Sequence, residues 1–200
     1  AAMALAVGPR MIGVMALVIS MALMTGYRRD LQQKLLGGNA EVFVYSIGTP
    51  IVDPEQLAGS LEAIPGVARA SPVLFQHAVV TTETNTTGSE VMLKGIEPSR
   101  GRTSPMLAKI VGPRETFRTP GDERGVAVGR YLATKLGVKG GDAISVTVAA
   151  QGAEGFMPRS STFLVTNVFG TGFYEFDARW LFIDLADARD FVAGFGALDE

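Results

Sequence analysis

The stretch Met11–Gly38, MIGVMALVISMALMTGYRRDLQQKLLGG, decides the fold class, because its two halves require different surroundings. Residues 11–27 carry no charge, and at about 1.5 Å per residue they extend about 26 Å, close to the hydrocarbon thickness of a bilayer. A buried helix of a soluble domain normally has one polar face, which this run lacks. A signal peptide would have a small-residue cleavage site, and none precedes Arg28. The stretch therefore predicts a transmembrane helix.

Methionine is frequent in this predicted helix. The residues that we expect to face lipid are Met11, Met15, Val18, Met21 and Met24. Flexible thioether side chains suit contact with acyl chains or with a moving neighbour. They also serve as ordinary membrane hydrophobes, and the sequence leaves both interpretations open.

Beyond Tyr27 the pattern becomes amphipathic. Met24, Tyr27, Leu31 and Leu35 fall on one face of a helix, and the pair at 37–38, Gly-Gly, predicts its end. No stretch rich in Gly, Ser or Pro separates this segment from the membrane run, so no flexible linker is indicated. We predict one rigid stalk, with Tyr27, Leu31 and Leu35 coupling movement in the membrane to a solvent domain.

Composition excludes several classes of function. The chain has 200 residues, 18 basic and 20 acidic side chains, no cysteine and a single histidine, and it begins with Ala1, so we expect a fragment. The near-neutral charge argues against a nucleic-acid partner. Without cysteine there are no disulfides or thiolate metal sites, and one histidine, His77, excludes a multi-histidine metal site. His77 is expected to be an ordinary strand residue.

Catalytic motifs are also missing from the sequence. No P-loop, G-x-S-x-G or H-E-x-x-H pattern occurs, so we predict a non-catalytic chain without cofactor or metal. Glu175 and Asp177 would share one face of a strand, and paired carboxylates can perform acid–base chemistry. A polar strand edge is the simpler interpretation of this pair.

Turn and cap signals divide the solvent domain into short elements of an α+β fold. Asp53-Pro54 predicts a helix that buries Leu57, Leu61 and Ile64. The strands are predicted at 41–47, 67–82, 90–96, 126–128, 143–149, 162–169 and 179–185. Further helices are predicted at 105–111, 130–136 and 186–193, and the last of the predicted strands, RWLFIDL, begins at Arg179.

The segment Gln151–Ser161 is predicted to be a loop longer than a tight hairpin needs. Its tip would hold Gly155, Phe156, Met157, Pro158 and Arg159. Exposed apolar residues on a loop often mark a contact site, although the tip could instead fold back on its own sheet.

Several stretches resemble, in order, the LolC/LolE-type permeases of the lipoprotein-releasing ABC transporter, within the MacB-like superfamily. The stretches are IGVMALVISMALMTGYRRDLQQKLLG (12–37), VMLKGIEP (91–98), VAVGRYLATKLGVKGGDAISV (126–146) and GTGFYEFDARWLFIDLADARDFV (170–192). The family usually has Asn-Gly-Phe or Asn-Gly-Tyr where this chain has Thr25-Gly26-Tyr27.

The resemblance implies a transmembrane and stalk helix followed by a two-lobed MacB-like periplasmic domain. The expected divisions are a membrane and stalk helix over 1–38, a core α/β lobe over 39–120 that also includes part of the C-terminal segment, a mostly β lobe with a protruding hairpin over 121–184, and a closing helix over 185–200 that leads toward the next membrane segment. The tip residues 155–159 would then bind a LolA-like periplasmic chaperone.

The resemblance also implies a place in the bacterial inner membrane, with the main domain in the periplasm. The expected partners are a cytosolic ABC ATPase subunit, a second permease copy or paralogue, the LolA-like chaperone, lipoprotein cargo and membrane lipid. One alternative is a MacB- or FtsX-like permease for efflux or mechanotransmission. Others are a membrane-anchored binding or sensor domain, and a tethered hydrolase that uses Glu175 and Asp177.

Overall fold

The computed structural model describes residues 2–36, 42–47, 51–99, 105–152 and 155–193. The chain forms two compact units, residues 1–42 and residues 43–200. The first unit consists mainly of the helix α1 (Ala2–Leu36), and the second contains all the other helices and strands of the described residues.

Helix α1 is continuous over 35 residues, about 52 Å at 1.5 Å per residue. It passes Gly26 without a break and ends immediately before the predicted Gly-Gly stop. Within it, Met11–Arg29 has a mean hydropathy of 1.6, and none of this stretch is buried inside the protein. The helix is therefore a candidate membrane span by length and composition, and the predicted rod from Met11 into the stalk is continuous.

The second unit alternates short helices and strands. Its helices are α2 (Pro54–Glu62), α3 (Pro105–Val111), α4 (Arg130–Leu136), α5 (Tyr174–Arg179) and α6 (Leu185–Ala193). Its strands are β1 (Leu74–Thr81), β2 (Ser89–Ile96), β3 (Gly125–Gly129), β4 (Ala143–Gly152), β5 (Gly155–Phe169) and β6 (Trp180–Asp184). The predicted α+β class is confirmed.

The six strands close into one barrel in the order β1-β2-β6-β3-β5-β4. The pairs β2–β6 and β3–β5 are parallel, and the others are antiparallel. A bulge between Val126 and Ala127 shifts the β3–β5 register. Strands from residues 39–120 and from residues 121–184 belong to this same barrel, so residue 120 does not separate two sheets.

Alternation along the strands creates two cores. Leu181 and Ile183 of β6 lie inside the barrel with Phe163 of β5, and α4 and α6 contribute Leu132 and Phe191 to that interior. The opposite face of the same strands packs against α3 in a second cluster. Its buried members are Ile96, Ile110, Val111, Phe117, Ala127, Phe169 and Phe182.

Local signals explain where two helices begin and end. The Asp53 carboxylate accepts a hydrogen bond of 2.9 Å from the Gln56 amide, with Pro54 in the first turn, as the sequence predicted. Helix α4 ends at Gly137, whose φ of 71° is the left-handed conformation that glycine adopts without strain. The predicted bounds of α3 and α4 are confirmed.

Two predictions for the early part of the domain are wrong. Residues 42–47 form no strand, because the closed barrel offers no free edge to this segment; Glu41 lies outside the described residues. In α2 the buried residue is Ala58, whereas Leu57 and Leu61 are half-buried and Ile64 is exposed. The helix ends at Glu62, so Ile64 lies beyond its packed face.

The predicted strand position of Glu175 and Asp177 is also wrong. Both residues lie on helix α5, where positions two apart point in different directions. Glu175 is exposed, and Asp177 is fully buried. The two carboxylates therefore do not form the paired arrangement that acid–base chemistry would need.

Candidate functional site: the hairpin of strands β4 and β5

Strands β4 and β5 form a hairpin that is longer than the barrel requires. They pair from Ala143↔Leu164 to Gly152↔Gly155. The pairing of β1 with β4 ends at Val148, and that of β3 with β5 begins at Leu164. Residues 149–152 and 155–158, which we call the hairpin extension, are thus paired only with each other among the described strands, and Arg159, opposite Val148, lies at its base.

The prediction that Gln151–Ser161 is a loop is wrong, because most of it belongs to these two strands. Gly155, with a φ of 111°, begins β5 directly after residues 153–154, which lie outside the described residues. Phe156, Met157, Pro158 and Arg159 follow along the strand. The residues predicted for a loop tip therefore form one arm of the hairpin, and the hairpin itself is present.

The extension exposes apolar side chains, and a proline on one of its strands removes a backbone donor from the strand edge. Met157 is 57% exposed, and its backbone is opposite Ala150. Pro158 is exposed opposite Ala149; proline has no backbone N–H to donate and is tolerated only at such edges. An exposed thioether on a narrow projecting hairpin suits contact with an apolar surface of another protein.

Arg159 differs from the residues before it. It is half-buried, and its Nη1 donates a hydrogen bond of 3.0 Å to the backbone oxygen of Asp190 on α6. Next to it, the hydroxyls of Thr147 and Ser160 lie 2.7 Å apart across the hairpin. Arg159 therefore joins the base of the hairpin extension to helix α6.

Helix α6 carries a charged network beside this contact. Arg118 Nη2 donates to Asp187 Oδ1 at 2.7 Å, Arg124 Nε lies 3.6 Å from the same oxygen, and Arg124 Nη2 donates to Asp190 Oδ2. Asp187 is 3% exposed. Burial raises the pKa of the Asp187 carboxyl, and this outweighs the opposite effect of Arg118 and Arg124.

Lys94 occupies an aromatic environment on the outer side of β2. It is 4% exposed, and its Nζ lies 5.0 Å from the ring centre of Phe75 and 5.8 Å from those of Trp180 and Phe182. These ring faces attract the ammonium group. Burial nevertheless lowers the pKa of Lys94 to about 8, because the charged form loses its hydration.

The lowered pKa of Lys94 predicts that stability rises with pH. Between about pH 8 and pH 10.5 the unfolded chain retains a proton that the folded chain has released, so the free energy of unfolding increases. From pH 7 to pH 10 we expect a gain of about 2 kcal/mol. Urea unfolding followed by fluorescence of Trp180, the single tryptophan, measures it. Lys94→Met should flatten this slope; an equal slope in both proteins would contradict the assignment.

Asp177 is a buried acceptor, a role that the sequence analysis did not assign to it. Its carboxylate accepts hydrogen bonds from the Thr171 amide at 2.8 Å, from Thr171 Oγ1 at 2.7 Å and from the Gly172 amide at 3.4 Å. The Gly-Thr-Gly turn at residues 170–172 is thereby fixed to helix α5. The only signal in the sequence was an acidic residue a few positions after a glycine turn.

The other predicted site residues lie on α1. All the residues expected to face lipid are exposed: Met11 (68%), Met15 (63%), Val18 (57%), Met21 (63%) and Met24 (62%). Tyr27 is also exposed, whereas the side chains of Leu31 and Leu35 lie outside the described ones. Contact with lipid and coupling through the stalk stay predictions. Among the described residues, no group of three or more His, Cys, Asp or Glu could hold a metal ion.

Comparison with known proteins gives a consistent result. The family model of the MacB-like periplasmic core domain matches residues 4–196. The lipoprotein-releasing system transmembrane protein LolC of Xylella fastidiosa strain Temecula1 is 28% identical over 182 residues, which cover 89% of this chain and 43% of the relative. LolC of strain 9a5c is likewise 28% identical, and LolC of Neisseria meningitidis strain MC58 is 26% identical, each with the same coverage. The chain thus spans less than half the length of these curated relatives.

Proposed function

Because the chain belongs to the MacB-like periplasmic core domain family, as its resemblance predicted, we propose that it is the membrane helix and periplasmic domain of an ABC transporter permease. The permease releases lipoproteins from the bacterial inner membrane. Its relatives named LolC support this choice over a MacB- or FtsX-like permease. ATP hydrolysis takes place on a separate cytosolic ATPase subunit, and a second permease copy or paralogue completes the membrane part.

The hairpin extension is the observation that carries the proposal. It projects beyond the strands that close the barrel, and it exposes Met157 beside Pro158. A protein that delivers acylated cargo needs an apolar surface, so an apolar hairpin is a suitable partner for a LolA-like periplasmic chaperone. In this proposal the hairpin holds the chaperone while cargo passes to it from the membrane.

The membrane helix supplies the other half of the proposed mechanism. Its exposed methionines offer adaptable apolar surface to lipid and to the acyl chains of the cargo. A helix without a break between Met11 and Leu36 transmits displacement along its axis better than a flexible linker would. Movement driven by the ATPase would thereby reach the periplasmic side.

The test is chaperone capture by the full-length permease. Replacing Phe156 and Met157 with serine should weaken binding of a purified LolA-like chaperone at least about 30-fold, because apolar anchors at the centre of an interface dominate its affinity. Pull-down and biolayer interferometry measure the loss. Tyr174→Ser is the matched control: Tyr174 is 63% exposed, and it follows the far end of β5.

Unchanged capture by the double variant would contradict the role of the hairpin. Absence of capture by the wild-type permease would favour the efflux or mechanotransmission alternative. Equal losses in the double variant and in Tyr174→Ser would indicate a general loss of folded protein, so circular dichroism of each variant accompanies the binding curves.

A further inference from the structure

Helix α6 contacts strand β5 at two neighbouring places. Arg159 Nη1 donates to the backbone oxygen of Asp190 at 3.0 Å. Four residues further along β5, the rings of Phe163 and Phe191 meet edge to face with centres 5.6 Å apart, inside the barrel. The part of β5 that leads into the hairpin extension is therefore held by α6 at a polar and an apolar contact.

The polar contact has a specific physical basis. Asp190 lies in the last described turn of α6 (Leu185–Ala193), and a backbone carbonyl in this part of a helix can accept a side-chain hydrogen bond. A guanidinium donates to such a carbonyl and also complements the negative end of the helix dipole. Because the hairpin extension has no neighbouring strand on either side among the described residues, this contact acts at the point where the barrel stops supporting it.

The charged network holds α6 itself in place. The guanidinium of Arg124 forms an ion pair with the Asp190 carboxylate, and that of Arg118 forms one with the Asp187 carboxylate. Residues 118–124, which precede β3, are thereby joined to both acidic residues of the helix. The carboxylate of Asp187 is almost fully buried, and among the described residues its Oδ2 atom has no hydrogen-bond partner. The ion pairs with Arg118 and Arg124 restrain α6, because any displacement of the helix must also rearrange both arginines.

We propose that Arg159 is a positioning residue: through it, helix α6 sets the direction of the hairpin extension, and displacement of α6 swings the hairpin. The extension consists of two paired strands that can bend at their base. The angle between the extension and the barrel therefore depends on the contact that Arg159 makes with α6. The consequence for chaperone capture rests on the proposed function, whereas the mechanical link between α6 and the hairpin does not.

Distance measurements in the full-length protein test this link. Spin labels at Ala149→Cys on the extension and Lys135→Cys on α4 report the direction of the hairpin, since both positions are exposed and residues 1–200 contain no cysteine; any cysteine elsewhere in the permease is first replaced by serine. In Arg159→Gln, the distance distribution from pulsed electron resonance should widen about twofold, because a neutral amide forms a weaker bond to the carbonyl. Arg159→Lys should restore most of the narrow distribution.

Two controls separate positioning from general loosening. Arg189→Gln removes a guanidinium from the same helix, 3.8 Å from Glu55 and outside the Arg159 contact, and should leave the distribution unchanged. A second label pair, Glu90→Cys on β2 with Lys135→Cys on α4, does not include the hairpin extension and should keep a narrow distance distribution in Arg159→Gln. Chaperone affinity, measured in parallel, should fall about tenfold in Arg159→Gln and not in Arg189→Gln.

The outcomes are distinguishable. A distribution in Arg159→Gln as narrow as in the wild type would overturn the proposal. Equal widening of both label pairs would also overturn it, because the barrel rather than the hairpin would have moved. If the wild-type permease captures no chaperone, the proposed function fails, and the distance distributions still decide whether α6 positions the hairpin.

Discussion

Replacing Gly125 with alanine is expected to lower the free energy of unfolding by about 4 kcal/mol or more. Gly125 begins β3 and is opposite Leu164 of β5. A Cβ atom there would overlap the carbonyl oxygen of Phe117, and it would lie 2.8 Å from the Phe117 carbonyl carbon and 2.6 Å from Cγ2 of Thr166. The obstructing atoms are mainly backbone, so no change of side-chain rotamer relieves the contact. Urea unfolding followed by Trp180 fluorescence measures the loss.

Gly59→Ala is the matched control for this prediction. Gly59 lies within α2, and an added Cβ would meet no atom within 4 Å. Alanine has the higher helix propensity, so this variant should gain about 0.5–1 kcal/mol. The same chemical change is thus expected to have opposite signs at two positions. A loss below about 1 kcal/mol in Gly125→Ala would mean that the segment containing Phe117 does not press on β3 as described.

The elements that the sequence predicted well are those with signals inside a few residues. The carboxylate of Asp53 before Pro54 predicted the start of α2, and Gly137 predicted the end of α4. The polar turn between β1 and β2 predicted their antiparallel pairing, which the structure confirms from Leu74↔Gly95 to Val80↔Ser89. Each of these signals acts through a cap or turn whose physics involves only adjacent residues.

The elements that were mistaken depend on distant partners. Residues 42–47 have the composition of a strand, yet a strand forms only where a neighbour supplies hydrogen bonds, and the closed barrel leaves none. Gln151–Ser161 contains Gly and Pro, a composition typical of loops. In the structure, pairing between β4 and β5 nevertheless continues to Gly152↔Gly155. Neither result follows from local propensity, because β structure is decided by pairing.

The sequence predicted which residues belong to the candidate site, but not their place on a strand or their contact with α6. The residues from Gly155 to Arg159 were identified as a contact group, and their role in binding stays a prediction. The attachment of Arg159 to α6 joins residues 31 positions apart, and the pair Arg118–Asp187 spans 69 positions. No single-sequence pattern indicates which arginine meets which carboxylate across such separations, since the barrel closure alone brings them together.

Asp177→Ala should cost about 3–4 kcal/mol of folding stability, the second large effect expected in this protein. The carboxylate is fully buried and accepts hydrogen bonds from both donors of Thr171 and from the Gly172 amide. Alanine would leave the half-buried donors of Thr171 and the Gly172 amide without their acceptor and would empty the buried position of the carboxylate, and an unsatisfied buried donor costs about 1–3 kcal/mol. Asp177→Asn retains one oxygen but turns an N–H₂ group toward the same donors, so we expect a loss of about 2 kcal/mol.

Glu175→Gln is the control, because Glu175 lies on the same short helix with its side chain exposed, and its replacement should change stability by less than about 0.5 kcal/mol. Trp180 directly follows α5, so the midpoint of its fluorescence change in urea reports this region.

The Asp177 and Glu175 variants together also decide between a structural and a catalytic role for these two carboxylates. A tethered hydrolase would lose activity in both variants while remaining folded, whereas an acceptor that fixes the Gly-Thr-Gly turn predicts instability in the Asp177 variants alone. Wild-type stability in Asp177→Ala would contradict the structural role, because the donors of Thr171 and Gly172 would then not need this carboxylate.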